Sequence, residues 1–295
     1  MGRAGRVTEP EGRAGGADGG LSCLARAKVN LTLHVTGQRA DGYHLLDSLV
    51  VFPEIGDCLH LGPGASHSLS ISGDFAPGLR ATPDNLILQA ARMQAPDGGG
   101  AFHLIKNLPI AAGIGGGSAD AAAAARLLAR RDGRAEVDLL GLGADIPACQ
   151  LSRPLRMRGI GDALEPVPEL PSFWMILVNS GQSVPTGPVF AGLSQKNNPA
   201  MGPLPQFSGL GALVAWLDAM RNDLQGPACR IAPDIADVLA AIDGAEGCLL
   251  ARMSGSGGTC FGIFAAKDTG QAASRAIQAA HPDWWCAAAA VTGQP

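Results

Sequence analysis

Between Pro109 and Ala125 the chain reads PIAAGIGGGSADAAAAA, a glycine-rich loop that runs directly into an alanine-rich helix. No other segment limits so tightly what this chain can fold into. Gly113, Gly115, Gly116 and Gly117 have no Cβ to hold a bulky anion away from backbone N–H groups. Ser118 and Asp120 stand where a helix is expected to begin, and the following alanines with Leu127 and Leu128 are strong helix formers. A helix N-terminus offers unpaired N–H donors and the positive end of the macrodipole, so the combination makes a phosphate site. On this segment alone the plainer reading, a glycine turn capping an ordinary helix, stays open. Two familiar phosphate motifs are excluded. A P-loop needs Lys-Ser/Thr after its last glycine, where this loop has Ser118-Ala119, and a dinucleotide fingerprint needs glycine where Ser118 stands.

At 295 residues and 46% hydrophobic composition the chain can bury a core as one large domain or two. The net charge of −4 and the lack of a basic run argue against a nucleic-acid surface, so an anionic ligand must be attracted locally. Seven cysteines are scattered singly with no CxxC pair, which argues against a disulfide framework or a zinc site and fits a reducing, cytoplasmic setting. The longest strongly apolar stretch, Phe173 to Val178, is too short to span a bilayer. Residues 1–20 have no apolar core of a secretory signal and are expected to form a disordered extension.

Leu24 to Val35 alternates, with Val29, Leu31, Leu33 and Val35 on one side and Lys28, Asn30, Thr32 and His34 on the other. This predicts one half-buried strand whose polar face is solvated. A turn over 36–42, a returning strand over 43–52, short strands near 59–61 and 68–71, a helix over 85–93 and a strand over 101–106 lead into the glycine loop. After Pro154 the composition changes. A buried strand over 173–179, a Pro/Gly-rich loop over 194–206, helices over 210–220 and 235–242, strands over 247–253 and 259–265 and a helix over 270–280 follow. Strands with interspersed helices in both halves predict an α+β protein of two lobes with a cleft between them. The expected units are residues 21–160 and 161–295.

Four further segments could carry chemistry. Tyr43, the only tyrosine, precedes His44; alone the pair is a strand-end aromatic and a surface histidine. Asp145 in GLGADIPAC suits an N-cap ahead of Pro147 or a general base. Met253 to Phe261 (MSGSGGTCF) is a second glycine turn between apolar runs, and RMRGIGDALEPV holds Arg156 and Arg158, either a possible neighbour of a phosphate.

These segments resemble known proteins. Pro109 to Ala121 is similar to the PxxxGLGSSA loop of the GHMP kinase superfamily, with Ala119 in place of the usual second serine, whose hydroxyl often helps hold Mg²⁺. ARAKVNLTLHVTGQRADGYHLLDS (Ala25 to Ser48) resembles the opening signature of the diphosphocytidyl methylerythritol kinases, and GADIP, RNDLQ, SVPTGPVF and the 253–261 turn are similar to further segments of that family. The likeness runs from about Cys23 to Phe264. It implies the two-lobed GHMP kinase fold and ATP-dependent phosphorylation of the 2-hydroxyl of a cytidine-diphosphate methylerythritol, a step of non-mevalonate isoprenoid synthesis. It implies ATP with Mg²⁺ over Pro109, Ala111, Ala112, Gly113, Ile114, Gly115, Gly116, Gly117, Ser118 and Ala119. Lys28 and Asp145 become the catalytic pair. Asn30 and Thr186 become substrate contacts, Tyr43 and Phe190 stack on cytosine, and His44 bonds to it. No protein ligand to a metal is assigned. The expected partner is a small molecule, with the chain a monomer or homodimer and neither nucleic acid nor membrane involved. Another GHMP-type kinase would have no use for the DGYH segment, and a catalytically silent nucleotide-binding regulator would be marked by loss of Lys28 or Asp145, both of which are present.

Overall fold

The run from Leu24 to Val35 is not one strand. The computed structural model describes residues 20–293 and breaks this run into β1 (Leu21–Arg26), β2 (Val29–Asn30) and β3 (His34–Gln38). The breaks occur where the backbone changes partner. Ala27 N–H donates to Ile55 O, Lys28 N–H to Ile114 O inside the glycine loop, and Leu31 N–H to Leu49 O. The polar face is buried as completely as the apolar one: Lys28, Asn30, Thr32 and His34 are all 5% exposed or less. It is covered by the glycine loop and by the second half of the chain, which the alternation could not reveal.

The first half continues with β4 (His44–Val51), β5 (Gly56–Gly62), β6 (His67–Ser72), α1 (Leu86–Gln94), β7 (Gly100–Ile105), α2 (Gly116–Asp132), α3 (Ile146–Leu151), β8 (Leu155–Gly159) and β9 (Ala163–Pro166). One sheet has the order β1-β5-β7-β6, with β6 parallel to β7 and the other pairs antiparallel. The other has the order β2-β4-β8-β9, with β3 also on β4. Alanines 121–125 are fully buried because α2 lies across β1 and β5 and between α1 and α3; only a Cβ fits at such close approach. Asn85 caps α1 through its side chain, accepting from Ile87 N–H at 3.0 Å. The expected division between residues 160 and 161 falls in the β8–β9 turn, so we propose that the first lobe extends to Pro166.

The second half holds β10 (Phe173–Asn179), α4 (Thr186–Ala191), α5 (Leu210–Asp218), α6 (Gln225–Ile231), α7 (Asp234–Asp243), β11 (Cys248–Met253), β12 (Thr259–Phe264), α8 (Lys267–Ala280) and β13 (Trp285–Val291). Its antiparallel sheet has the order β11-β12-β10-β13, and α7 and α8 pack on it. The Pro/Gly-rich segment stays irregular and straps back onto the first half, where Met201 N–H donates to Asp47 at 2.9 Å.

Arg252 joins the halves. It is 8% exposed, and its guanidinium donates to Leu31 O at 2.9 Å, Leu217 O at 2.8 Å and Met220 O at 3.1 Å. Arg252→Met keeps the bulk of the side chain and removes every donor. Because a buried carbonyl left unpaired costs ~1–3 kcal/mol, the substitution is expected to cost at least about 2 kcal/mol. Urea denaturation with a lowered midpoint and an unchanged slope is the check.

Candidate active site

The glycine loop leaves β7 and enters α2 two residues earlier than Ser118. Gly115, at φ 65° and ψ 21°, is the N-cap, and no side chain bonds to the first N–H groups of α2. Those donors face an open site, as a phosphate cradle requires. The loop is held from the second half by backbone on backbone. A Cβ on Gly113 (φ +70°) would stand 2.4 Å from Gly257 O, and one on Gly255 would stand 2.6 Å from Gly113 O. Ser254 Oγ donates to Gly113 O at 3.2 Å, and Thr259 N–H to Ala112 O at 3.1 Å. Asn222 fixes the second turn by donating to Met253 O and Gly255 O.

A cleft of about 580 Å³ opens over this loop, lined by residues 78–80, 82, 84–87, 109–113 and 115–118 with Lys106 and Asp120. Ile114 and Ala119 do not line it. They are 1% and 3% exposed, with side chains in the apolar clusters behind the loop. Only their backbone is left to meet a nucleotide, because each side chain is packed into the core behind the loop. The 78–87 wall was not legible as part of a site.

Lys28 and Asp145 meet. Lys28 Nζ lies 2.6 Å from Asp145 Oδ1, with the lysine side chain 6% and the aspartate 41% exposed. Lys28 packs under the loop, its Cβ 3.1 Å from where a Cβ of Gly115 would be. Asp145 occupies the N-cap position of α3, yet its side chain caps no N–H. Asn30 N–H donates to Ser254 Oγ at 3.1 Å and its Nδ2 to Ser48 Oγ at 2.7 Å.

The expected base-binding residues are grouped differently from the expectation. Phe190 stacks on His44, with ring centroids 4.7 Å apart and planes at 28°, while Tyr43 stands 62% exposed. His44 Nε2 is buried without a hydrogen-bond partner, and burial together with Lys196 holds its pKa below the usual imidazole value. A neutral ring with a free nitrogen can accept or donate to a flat polar ligand. Thr186 Oγ1 lies 2.8 Å from Ser256 Oγ, on the second glycine turn.

Neither arginine singled out as a phosphate neighbour is free. Arg156 makes a two-pronged pair with Asp47 at 2.7 Å and also donates to Met201 O and Gly202 O; Arg158 pairs with Glu165 at 3.1 Å. Strand β8 turns them onto the 199–202 strap and β9 instead. Lys106 is a second lysine at the loop, and it pairs with Asp57 and, at 2.9 Å, with Asp120. Burial opposes its charge, but the two carboxylates outweigh burial and raise its pKa. Burial and the neighbouring Asp57 push Asp120 up to about 8.

An open helix N-terminus over a nucleotide-sized cleft, beside a lysine–aspartate pair, in two α+β lobes is the arrangement of a GHMP kinase. Residues 85–153 match the GHMP kinases N terminal domain, and residues 206–283 match GHMP kinases C terminal. A homoserine kinase of Cytophaga hutchinsonii shares the fold with a TM-score of 0.60 at 16% identity over 98% of each chain. A 4-diphosphocytidyl-2-C-methyl-D-erythritol kinase of Cereibacter sphaeroides is 52% identical over 92% of this chain and 99% of its own. One of Dinoroseobacter shibae is 54% identical over 94% of this chain and 96% of its own. The crystal structure of a 4-(cytidine 5'-diphospho)-2C-methyl-D-erythritol kinase superposes with a TM-score of 0.73 at 32% identity, over 92% of this chain and all of that one. The chain belongs to the 4-diphosphocytidyl-2-C-methyl-D-erythritol kinase family. No helix among the described residues is long and apolar enough to cross a membrane.

Gly113→Ala tests the seat between the two turns. The new Cβ meets a carbonyl at a distance that cannot be tolerated, in a backbone region costly for alanine. The loop must lift, and nucleotide affinity measured by calorimetry is expected to fall at least about tenfold, on the scale of 1.4 kcal/mol, in a chain with unchanged circular dichroism.

Proposed function

We propose that this chain transfers the γ-phosphoryl group of ATP to the 2-hydroxyl of 4-diphosphocytidyl-2-C-methyl-D-erythritol, a step of non-mevalonate isoprenoid synthesis. The observation that carries the reading is the 2.6 Å Lys28–Asp145 pair directly beneath the phosphate loop. The N–H groups at the start of α2 and the loop glycines hold the nucleotide phosphates. Phosphoryl transfer asks the protein for in-line positioning, charge neutralisation and a place for the hydroxyl proton. Asp145 accepts that proton as the acceptor oxygen bonds to phosphorus and the bond to the ADP oxygen breaks. Once protonated, Asp145 holds Lys28 less strongly, which leaves the ammonium to offset charge on the transferring group. Mg²⁺ bound with the phosphates would supply neutralisation of their oxygens. The chain has oxygen donors suited to it at the cleft, the Ser118 hydroxyl and the Asp120 carboxylate, although no cluster of three acidic, His or Cys residues occurs among the described residues.

Tyr43, His44 and Phe190 hold the cytosine, away from the reacting hydroxyl. The supporting observations are the free His44 nitrogen and the exposed, uncommitted tyrosine ring beside it. Asn30 and Thr186 are read as substrate contacts between the two ends, a reading supported by the tie of each to the second glycine turn.

Asp145→Asn preserves size and removes the base. It is expected to lower kcat by roughly 10²–10⁴, the scale of general-base catalysis, while nucleotide affinity is kept. A coupled ADP-release assay is the check, and turnover within a few-fold of wild type would remove Asp145 from the role. Tyr43→Ala is expected to raise KM for the cytidine-bearing substrate with little change in kcat, because stacking remote from the reaction is the same in ground and transition states. A loss in kcat/KM of ~1–3 kcal/mol is the expected stacking scale. Equal activity on the alcohol lacking the cytidylyl group would overturn the reading of this end.

A further inference from the structure

Asp120 is the acidic residue in the first turns of an otherwise alanine-rich helix, and it is 4% exposed. Its Oδ2 accepts from Lys106 Nζ at 2.9 Å, but its Oδ1 is buried with no hydrogen-bond partner. Lys106 does not need this second carboxylate. It already pairs with Asp57, whose other oxygen takes the backbone N–H groups of Asn107 at 2.6 Å and Leu108 at 2.9 Å. Two carboxyl groups therefore share one ammonium, and only with both ionised does the cluster carry one negative charge beyond balance. The tie between β5 and the end of β7 is complete with Asp57 and Lys106 alone.

The residue with the unpartnered oxygen borders the phosphate cleft. Asp120 and Lys106 line the same cleft as Gly115–Ser118, and Lys106 Nζ stands 3.1 Å from where a Cβ of Gly116, the first residue of α2, would be. An uncompensated carboxylate beside a phosphate site would repel the ligand unless a cation came with it. Hard divalent cations take oxygen ligands of this kind, commonly one or two carboxylates together with substrate phosphates. Ala119 offers no oxygen, and Ser118 lines the cleft from the same turn.

We propose that Asp120 Oδ1 is a protein ligand of the divalent cation that accompanies the nucleotide phosphates. The inference rests on reading the cleft as the nucleotide site, and its test separates the two.

Mn²⁺ serves as the probe, with a non-hydrolysable ATP analogue and the full chain. Free Mn²⁺ is followed by electron paramagnetic resonance for wild type and Asp120→Asn, and analogue affinity without metal is measured by calorimetry in the presence of chelator. Asp120→Asn is expected to weaken Mn²⁺ in the ternary complex at least about tenfold while metal-free analogue affinity holds. Asp120→Cys should recover binding of Cd²⁺ but not of Mn²⁺. Unchanged Mn²⁺ affinity in Asp120→Asn overturns the proposal, and a fall confined to metal-free analogue binding would make Asp120 a hydrogen-bond donor to phosphate instead. If neither variant folds, wild-type chain labelled with ¹³C at the aspartate carboxylates is examined by electron–nuclear double resonance. A Mn²⁺–¹³C coupling that persists in Asp145→Asn supports the proposal, and its absence overturns it. Failure of the analogue to bind wild type at all would remove the nucleotide cleft, and the inference with it.

Discussion

Everything functional in this molecule hangs on a contact between two stretches of backbone. The Gly113 carbonyl and the 255–257 turn approach so closely that neither side has room for a Cβ. That contact fixes the height of the phosphate loop relative to the second half of the chain. Ser254, at the edge of the same turn, accepts from Asn30 N–H and donates to Gly113 O, so the strand segment carrying Lys28 is tied to both turns at once. Lys28 N–H donating to Ile114 O closes the ring. A polar-faced strand can be buried here only because every polar group on it finds such a partner.

The electrostatics follow from that burial. A chain of net charge −4 must receive a polyanion without a basic patch. It does so with uncapped N–H groups, whose partial positive charges already face the cleft, and with lysines held by carboxylates. Lys28 and Lys106 are both of this kind, but they differ in kind of partner. Asp145 is 41% exposed on its side chain and can exchange protons with the acceptor, whereas Asp57 is fully buried and bound to backbone N–H groups as well. The first pair is therefore suited to change during a reaction, and the second to stay.

Much of this was legible in the sequence, for identifiable reasons. The 173–179 strand was read with its observed bounds because a bounded run of Phe, Trp, Met, Ile, Leu and Val has one interpretation once flanked by turns. The glycine loop declared itself by composition. Strand β13 did not, since Ala287–Ala290 has little β preference and is made a strand only by pairing with Met175–Trp174 and its neighbours in β10. Helix α4 was hidden by the Pro and Gly in PTGPVF, and the β8–β9 hairpin by the composition change at Pro154. The alternation in 24–35 was real, but it reports two differing faces and not which of them meets water.

The same distinction explains why part of the site could not be read. Lys106 looked like the end of a strand, and Asp120 like an N-terminal residue of a helix, and each description is locally sufficient. What makes them a unit is Asp57, from a strand half a domain earlier, which neutralises Lys106 and leaves Asp120 with an oxygen to spare. A single charged residue in a run of alanines was the available signal. Alanines say that the helix is packed on all sides, so a carboxylate among them needs partners, and Asp120 has one for only one of its oxygens. Local sequence rules find groups that complete a local structure. Groups that remain incomplete after the fold is assembled are found only by counting partners, and those are the ones left available for a ligand.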